Sequence, residues 1–398
     1  MERESQVRLK SWGRVLAIIL IVFLITLAHS SCWMPKEERL PEDLPDQPVT
    51  TEPSPSEITL LAVGDCLMHN TQIWSGQQAD GSYNFDFFFS EVEELIKQAD
   101  YSMVSFEAPM AGSESSYTGY PLFNSPDAMA DTFKRAGFDL VTTANNHAFD
   151  RGYAGLLRSL EVLEKAGLDT VGTYATQEAS QAFLIKDIKG IKVGYLAYSY
   201  GTNGIPIPQD KPYCFNLLER EKVLYDIQRL RPQVDVLVLI LHWGTEYMHE
   251  PKPEQVDMAH EFLNAGADII LGSHPHVIQP LEVINIEQKD KMVIYSMGNF
   301  ISHQHGLERN SGIILRMKFI KDFKHGVTRL VQVGYIPTFS HSYYEEDRIK
   351  FRVVTVEKTL EDIKMGRETI LSQEDIPVLE QVLESTSSLL GEVYREKC

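Results

Sequence analysis

The chain has 398 residues, 43% of them hydrophobic and 23% charged, the balance of a folded domain with a large core. A formal net charge of −19 argues against a nucleic-acid partner, because no basic field draws in a phosphate backbone; an anionic substrate would need a bound metal or a local Arg or Lys to overcome the same repulsion. The four cysteines, Cys32, Cys66, Cys214 and Cys398, form no CxxC pair, which leaves no zinc-knuckle or thioredoxin-type motif.

At the N-terminus, Arg8, Lys10 and Arg14 precede the apolar run 15–28 (VLAIILIVFLITLA). A basic flank followed by so short a run fits a signal peptide, or a short uncleaved anchor counted from Trp12. Either way the basic flank stays inside and the rest of the chain is expected on the extracytoplasmic face of the cell membrane. Cys32 follows in LAHSSC, which resembles a lipoprotein signal except that His29 stands where Leu is usual, so lipoprotein and single-pass anchor both remain open for 1–32. Residues 33–57, rich in Pro, Glu, Asp, Ser and Thr, read as an extended disordered linker.

The run 58–63 (ITLLAV) has the pattern of a buried strand and ends in Gly64-Asp65. A helix is expected over 87–99, with Phe88, Val92, Leu95 and Ile96 on one face, then a strand over 101–106. A helix over 127–136 stopped by Gly137, a strand over 140–143 and a helix over 153–166 stopped by Gly167 complete a β-α-β-α-β-α half with parallel strands. Strands follow at 182–188, 191–198, 234–241 and 268–271, with helices at 219–230 and 253–265. Further strands fall near 281–286, 292–297, 312–319, 327–335 and 351–356, and helices near 373–389. The expectation is an α/β fold of two mixed sheets packed face to face with helices outside, one domain over 58–345 and a C-terminal extension over 346–398. Residues after 312 carry no legible motif and are expected to complete the second sheet.

In open α/β sheets ligands gather at the carboxyl ends of strands. Five strand ends here carry metal-ligand types: Asp65 in AVGDC; Glu107 in SFEAP; Asn145, Asn146, His147 and Asp150 in TANNHAFDRG; His242 in LHWGTEY, with Glu246 beyond; and His274 and His276 in LGSHPH. Any one of these alone is a turn, a cap or a core histidine; their recurrence at successive strand ends points to a metal site. Carboxylates, an Asn carbonyl and neutral imidazoles favour Mn, Fe or Zn, as one or two ions. Proline biases His274 to extended backbone, which would set His274 and His276 on the same side. Cys66 is expected to face away from Asp65 as a small buried residue. Glu246 is a candidate general acid or base. Trp243, Ser296, Asn299, Arg151, His69, His303 and His305 are softer candidates, while His249, His260, His325 and His341 read as surface residues.

These motifs resemble the CapA-type capsule-synthesis (poly-γ-glutamate synthesis) family: VGD at 63–65, Glu107, NNH at 145–147, HWG-x-EY at 242–247, GSHPH at 272–276 and YSxGNF at 295–300. The family looks like a branch of the calcineurin-like metallophosphoesterases. The resemblance implies a four-layer αββα sandwich in which Asp65, Asn146, His242, His274 and His276 are metal ligands, Glu107 takes the bridging place, and His147 acts as general acid or substrate binder. Two departures stand out. The calcineurin-like first motif is Asp-x-His, whereas here it reads Asp65-Cys66-Leu67, and Ser105 stands where the family often has Asn. The implied function is a membrane-tethered hydrolase in which a metal-activated water attacks a phosphoester or an amide carbonyl, in capsule or other surface-polymer synthesis, with His147 or Glu246 protonating the leaving group. The alternative is a non-catalytic subunit that holds a polymer end or membrane-bound capsule-synthesis partners; a generic secreted nucleotidase fits the motifs as well.

Overall fold

Burial along the strands decides the architecture. In β1 (Ser56–Cys66), Ile58, Leu60 and Ala62 face one way and Leu61 and Val63 the other, and all five are buried. A strand apolar on both faces must be covered on both. The computed structural model describes residues 54–396; the basic-apolar segment, Cys32, the spacer up to residue 53 and Cys398 lie outside the described residues. β1 starts within the last residues expected to belong to the linker.

From β1 the chain passes through α1 (Asn70–Gly76) and α2 (Glu93–Lys97) to β2 (Tyr101–Phe106), through α3 (Ala128–Ala136) to β3 (Leu140–Thr142), and through α4 (Gly152–Lys165) to β4 (Asp169–Val171). These four strands lie side by side in sequence order and parallel. After α5 (Gln177–Gln181) a second sheet begins with β5 (Leu184–Ile188) and β6 (Ile191–Ser199). It continues through α6 (Arg220–Leu230), β7 (Val236–His242), α7 (Pro253–Ala265) and β8 (Ile269–Ser273) to the hairpin of β9 (Leu281–Ile286) and β10 (Lys289–Ile294). Its strand order is β5-β6-β7-β8-β10-β9.

The chain then returns to the first sheet. Short β11 (Asn299–Ile301) pairs with the end of β1, and β12 (Ser311–Asp322), β13 (Val327–Glu345) and β14 (Arg348–Thr355) extend the sheet antiparallel from β1's free edge. The residues after 312 therefore complete the first sheet, contrary to expectation. β12 pairs with β1 along the whole of 56–63, an edge that would otherwise expose unpaired backbone groups. The expected boundary at 345 falls at the tip of the β13–β14 hairpin, so 348–355 is sheet; α8 (Val356–Lys364) and α9 (Ile376–Leu390) then pack together through Leu360, Ile363, Leu379 and Val382.

Three cores stack in order. Ile58, Leu60 and Ala62 meet Val193, Tyr195, Val238 and Ile240 between the sheets. Leu61, Val63, Val104 and Phe106 meet Ile96, Met129 and Phe133 outside the first sheet. Leu237, Leu239 and Leu241 meet Ile227, Phe262 and Leu263 outside the second. The order is αββα, as expected. One helix differs: in place of 87–99 there is a single 3₁₀ turn at Asp86–Phe88 and then α2. Here packing overrides spacing, because Phe88 packs against Phe351 while Phe89 stacks on Phe133 and Phe300, in directions no single helix face presents. Among the described residues no helix is long and apolar enough to cross a membrane.

Candidate metal centre

The carboxyl ends of β1, β2, β3, β7 and β8 meet at one edge of the sandwich. Glycine makes the closest approach possible. A Cβ on Gly64 would lie 1.9 Å from the Gly298 carbonyl oxygen, so only a bare backbone lets β11 reach β1, where the Asp65 N–H donates to that oxygen at 3.0 Å. Asp65 is fully buried. Its Oδ1 accepts from Ser105 Oγ at 2.8 Å and its Oδ2 from the His274 N–H at 2.8 Å, so Ser105, at the position where Asn was expected, orients Asp65.

Glu107, one residue beyond β2, is 0% exposed, and neither carboxylate oxygen has a hydrogen-bond partner. His242 Nε2 stands 3.6 Å from its Oε1, His147 Nε2 3.9 Å from the same oxygen, and His276 Nδ1 3.9 Å from its Oε2. These gaps are too long for hydrogen bonds. They match the separation of about 3–4 Å between atoms that each lie about 2.1 Å from a shared ion. Three groups of donor atoms lie close enough to share an ion: Asp65 with Glu107 and His276, Glu107 with His242 and His274, and Glu246 with His274 and His276. The residues thus fit a divalent metal.

The surroundings fix which atom each residue presents. His242 Nδ1 pairs with Ser273 Oγ at 3.0 Å, leaving Nε2 to face Glu107 and, at 2.7 Å, Asn146 Oδ1. Asn146 Nδ2 donates to Asn203 Oδ1 at 3.2 Å, which turns its carbonyl toward His242. Outer partners of this kind orient metal-binding side chains. Asn145 caps no helix; its Oδ1 accepts the His147 N–H and its Nδ2 donates to the Phe106 carbonyl, tying the loop to β2. His147 Nδ1 meets Asp150 Oδ2 at 2.7 Å, and its ring packs edge-on against Phe123.

Charge is finely balanced here. Burial alone would raise the Glu107 carboxyl, but the imidazoles of His276, His242 and His147 more than reverse this and hold it well below the usual carboxylate range. Burial and the neighbouring Glu107 charge raise Asp65. Burial, with His242 alongside, drives His274 down to about 2, so its imidazole is neutral, the form that binds metals. Burial pulls His147 down, yet Asp150 and Glu107 outweigh it and leave its pKa raised.

The structure brings Asp65, Glu107, Asn146, His147, His242, His274 and His276 together, all buried, with Glu246 exposed at the mouth beside His274 and His276. One local expectation fails. His274 and His276 have φ of +95° and +59°, so the segment after β8 is not extended. The backbone turns there to deliver the His274 N–H to Asp65, and a left-handed kink at both histidines sets their rings 6.0 Å apart at the cluster.

Cys66 faces the outer core, as expected. Leu67 is also buried in that core, so nothing occupies the place of the missing histidine from this strand. His69 binds Gln72 and joins none of the three groups; burial lowers it to about 4. His303 pairs with Thr71, and His303 and His305 stay outside those groups. Trp243 is core, donating to the Tyr295 carbonyl. Ser296 Oγ accepts the Gly298 N–H. Arg151 is occupied by Thr118 Oγ1 and the Leu122 carbonyl. His249, His260 and His325 meet surface carboxylates, but His341 is half-buried between Phe339 and Tyr343.

Sequence reasoning passed over the end of β6, where Tyr200 packs 4.5 Å from the His274 ring and Asn203 holds Asn146. The strand-end rule applied to 191–198 would have found both.

A model of the family described as "Bacterial capsule synthesis protein PGA_cap" matches residues 59–304. The chain is 27% identical over 302 residues to "Capsule biosynthesis protein CapA" of Bacillus anthracis, covering 73% of this chain and 69% of that one. It is 29% identical over 223 residues to "PGA biosynthesis protein CapA" of Bacillus subtilis (strain 168), covering 55% of this chain and 57% of the relative. Among solved structures it is similar to a 5′-nucleotidase precursor from Thermus thermophilus, at 14% identity and a TM-score of 0.42, over 84% of this chain and 59% of that one.

Proposed function

This chain belongs to the PGA_cap family of bacterial capsule synthesis proteins, and from that premise we propose that it is a metal-dependent, metallophosphoesterase-like hydrolase. It acts on the outer face of the cell membrane, held there by its N-terminal segment, in the synthesis of a capsule polymer such as poly-γ-glutamate or of another surface polymer. The observation that carries this is Glu107: a buried carboxylate with both oxygens unpartnered, ringed by imidazoles at metal-ligand spacing.

In this reading Asp65, Glu107 and His276 hold one position, and Glu107, Asn146, His242 and His274 the other. A divalent ion held there would supply an acidified water and charge stabilisation for phosphoester or amide cleavage. The chain's own residues do the rest. Asp150 fixes His147 through Nδ1, so that Nε2, facing Glu107, presents a proton to the leaving group. Glu246, at the mouth, is the second acid/base candidate. With a net charge of −19, such ions would be the attraction for an anionic substrate.

A non-catalytic, polymer-holding subunit of a membrane capsule-synthesis complex is the second reading. It is favoured by Leu67, which leaves the Asp65 position one ligand short.

The test is elemental analysis of the full-length protein purified in mild detergent, wild type beside His274→Ala, followed by phosphoester, nucleotide and γ-glutamyl amide hydrolysis. One or two equivalents of Mn, Fe or Zn, lost in the variant, together with turnover of one substrate, support the hydrolase. Bound metal with no turnover leaves the polymer-holding reading, and no metal after added Mn or Zn removes the hydrolase.

A further inference from the structure

The position built on Asp65, Glu107 and His276 has three side chains, and its strand offers Leu67 where a fourth ligand would come from. We propose that the side-chain carbonyl of Asn299 is that fourth ligand; this rests on the metal-centre reading above and extends it to a residue from the far side of β1.

Three observations place it. First, the register pairs Asn299 directly with Asp65, and β11 lies against β1 on the side away from β2, so Asp65 is flanked by Ser105 on one side, with Glu107 two residues beyond it, and by Asn299 on the other. The bare contact between Gly64 and Gly298 makes that pairing possible. Second, Asn299 Oδ1 lies 3.0 Å from His276 Nδ1, the same nitrogen that stands 3.7 Å from Asp65 Oδ2 and 3.9 Å from Glu107 Oε2. Oxygens from three further segments of chain thus lie 3.0–3.9 Å from one imidazole nitrogen, within the spacing open to ligands about 2.1 Å from a shared ion.

Third, the amide has one orientation. Its Nδ2 donates to the Arg309 carbonyl at 2.8 Å, to Ser302 Oγ at 3.1 Å and to Gln304 Oε1 at 3.1 Å. The Arg309 backbone oxygen only accepts, so the nitrogen faces it and Oδ1 faces the cluster. Asn299 is fully buried, so no solvent competes for that oxygen. An amide carbonyl is a hard oxygen donor, at home beside two carboxylates. It replaces an imidazole without adding charge to a pocket that already holds Asp65 and Glu107.

The other role open to Asn299 is to accept an Nδ1–H from His276 without touching the ion. Mn²⁺ titration of the full-length protein in detergent, followed by electron paramagnetic resonance, separates the two. Wild type is expected to bind two Mn²⁺ with a spin-coupled spectrum. Asn299→Ala, checked for folding by circular dichroism, should keep one ion at unchanged affinity, bind the other at least tenfold more weakly and lose the coupling. Asn146→Ala should weaken the opposite ion. Asn299→Asp keeps an oxygen toward the cluster, and its second oxygen, protonated, can still donate to the Arg309 carbonyl; it should keep both ions and their coupling, and this arm stands even if the alanine variant does not fold. Unchanged affinities and coupling in Asn299→Ala, or an uncoupled spectrum in a folded Asn299→Asp, overturn the assignment and leave the metal centre standing. No Mn²⁺ bound by wild type removes the metal centre itself, and this ligand with it.

Discussion

Replacing Glu107 by glutamine separates a residue kept for stability from one kept for an ion. The carboxylate is fully buried, and its nearest partners are 3.6 and 3.9 Å away, beyond hydrogen-bond reach. Burying an unpaired carboxylate costs several kcal/mol. A protonated imidazole at such a distance returns up to about 4–5 kcal/mol at an effective dielectric of about 20. The metal-free site is therefore close to break-even, and an uncharged isostere gives up little. Glu107→Gln without metal should lie between unchanged and about 2 kcal/mol more stable, where an ordinary buried substitution costs about 1–3 kcal/mol. With metal the order reverses. An ion at about 100 times its Kd stabilises wild type by about 2.7 kcal/mol. If losing Glu107 weakens binding about 10–100-fold, as outer partners alone can do, the same concentration stabilises the variant by only about 0.4–1.4 kcal/mol. Urea unfolding in chelator and then in excess Mn²⁺ measures all four values. Equal metal stabilisation of both proteins, or a metal-free variant weakened by more than about 2 kcal/mol, would refute the reasoning.

Asp150→Asn and His147→Gln should keep full metal occupancy yet slow hydrolysis of a poor leaving group, such as phenyl phosphate, by about 10²–10⁴-fold, with a much smaller effect on p-nitrophenyl phosphate; equal losses on both would remove His147 as the proton donor. Gly64→Ala drives a methyl against the Gly298 carbonyl and disturbs the Asp65 N–H bond to it, so unfolding free energy should fall by about 3 kcal/mol in urea. Far from the site, Arg352 and Glu368 pair at 2.8 Å with side chains 5% and 9% exposed. Although burial raises Glu368, hydrogen bonds from Arg352 and from the Leu371 and Ile370 N–H groups together outweigh it and hold it at about 2. A lowered carboxylate pKa contributes stability above the unfolded value of about 4.3 that is lost as pH falls. The gap between wild type and Glu368→Gln, about 2–3 kcal/mol near neutral pH, should close between about pH 4.5 and pH 2 when followed by thermal melts.

Much of this was legible because it is local. The strands 101–106 and 191–198 and the helix 253–265 carry their periodicity in a few residues, and Asp65, Glu107, His242 and His274 announce themselves as donor types at strand ends. What was illegible is decided at a distance. No pattern in 312–319 says that β12 pairs with β1 in preference to the second sheet; that depends on which edge is still open when the chain returns. The break in the expected helix 87–99 depends on Phe133, Phe300 and Phe351, none of them nearby in sequence. The strand rule predicted that His274 and His276 share a side because they are two apart in extended chain. They do converge, but through two left-handed residues, since Asp65 captures the His274 N–H and bends the segment. Asn299 stands no higher than a softer candidate in the sequence because its meaning lies in its register against Asp65.

Several unfavourable features of the described chain meet where those segments converge. Among the described residues Glu107 alone leaves both carboxylate oxygens buried and unpartnered, and His274 Nδ1 is another buried orphan beside it. His274 and His276 hold positive φ, a strain of about 1–3 kcal/mol each. Gly64 and Gly298 give up side chains so that two backbones can touch. Each feature alone lowers stability. They become consistent with one another if the edge of the sandwich is shaped around a cation. The orphan oxygens and nitrogen then have a partner, the left-handed turns aim two imidazoles at it, and the glycine contact delivers a further oxygen from β11.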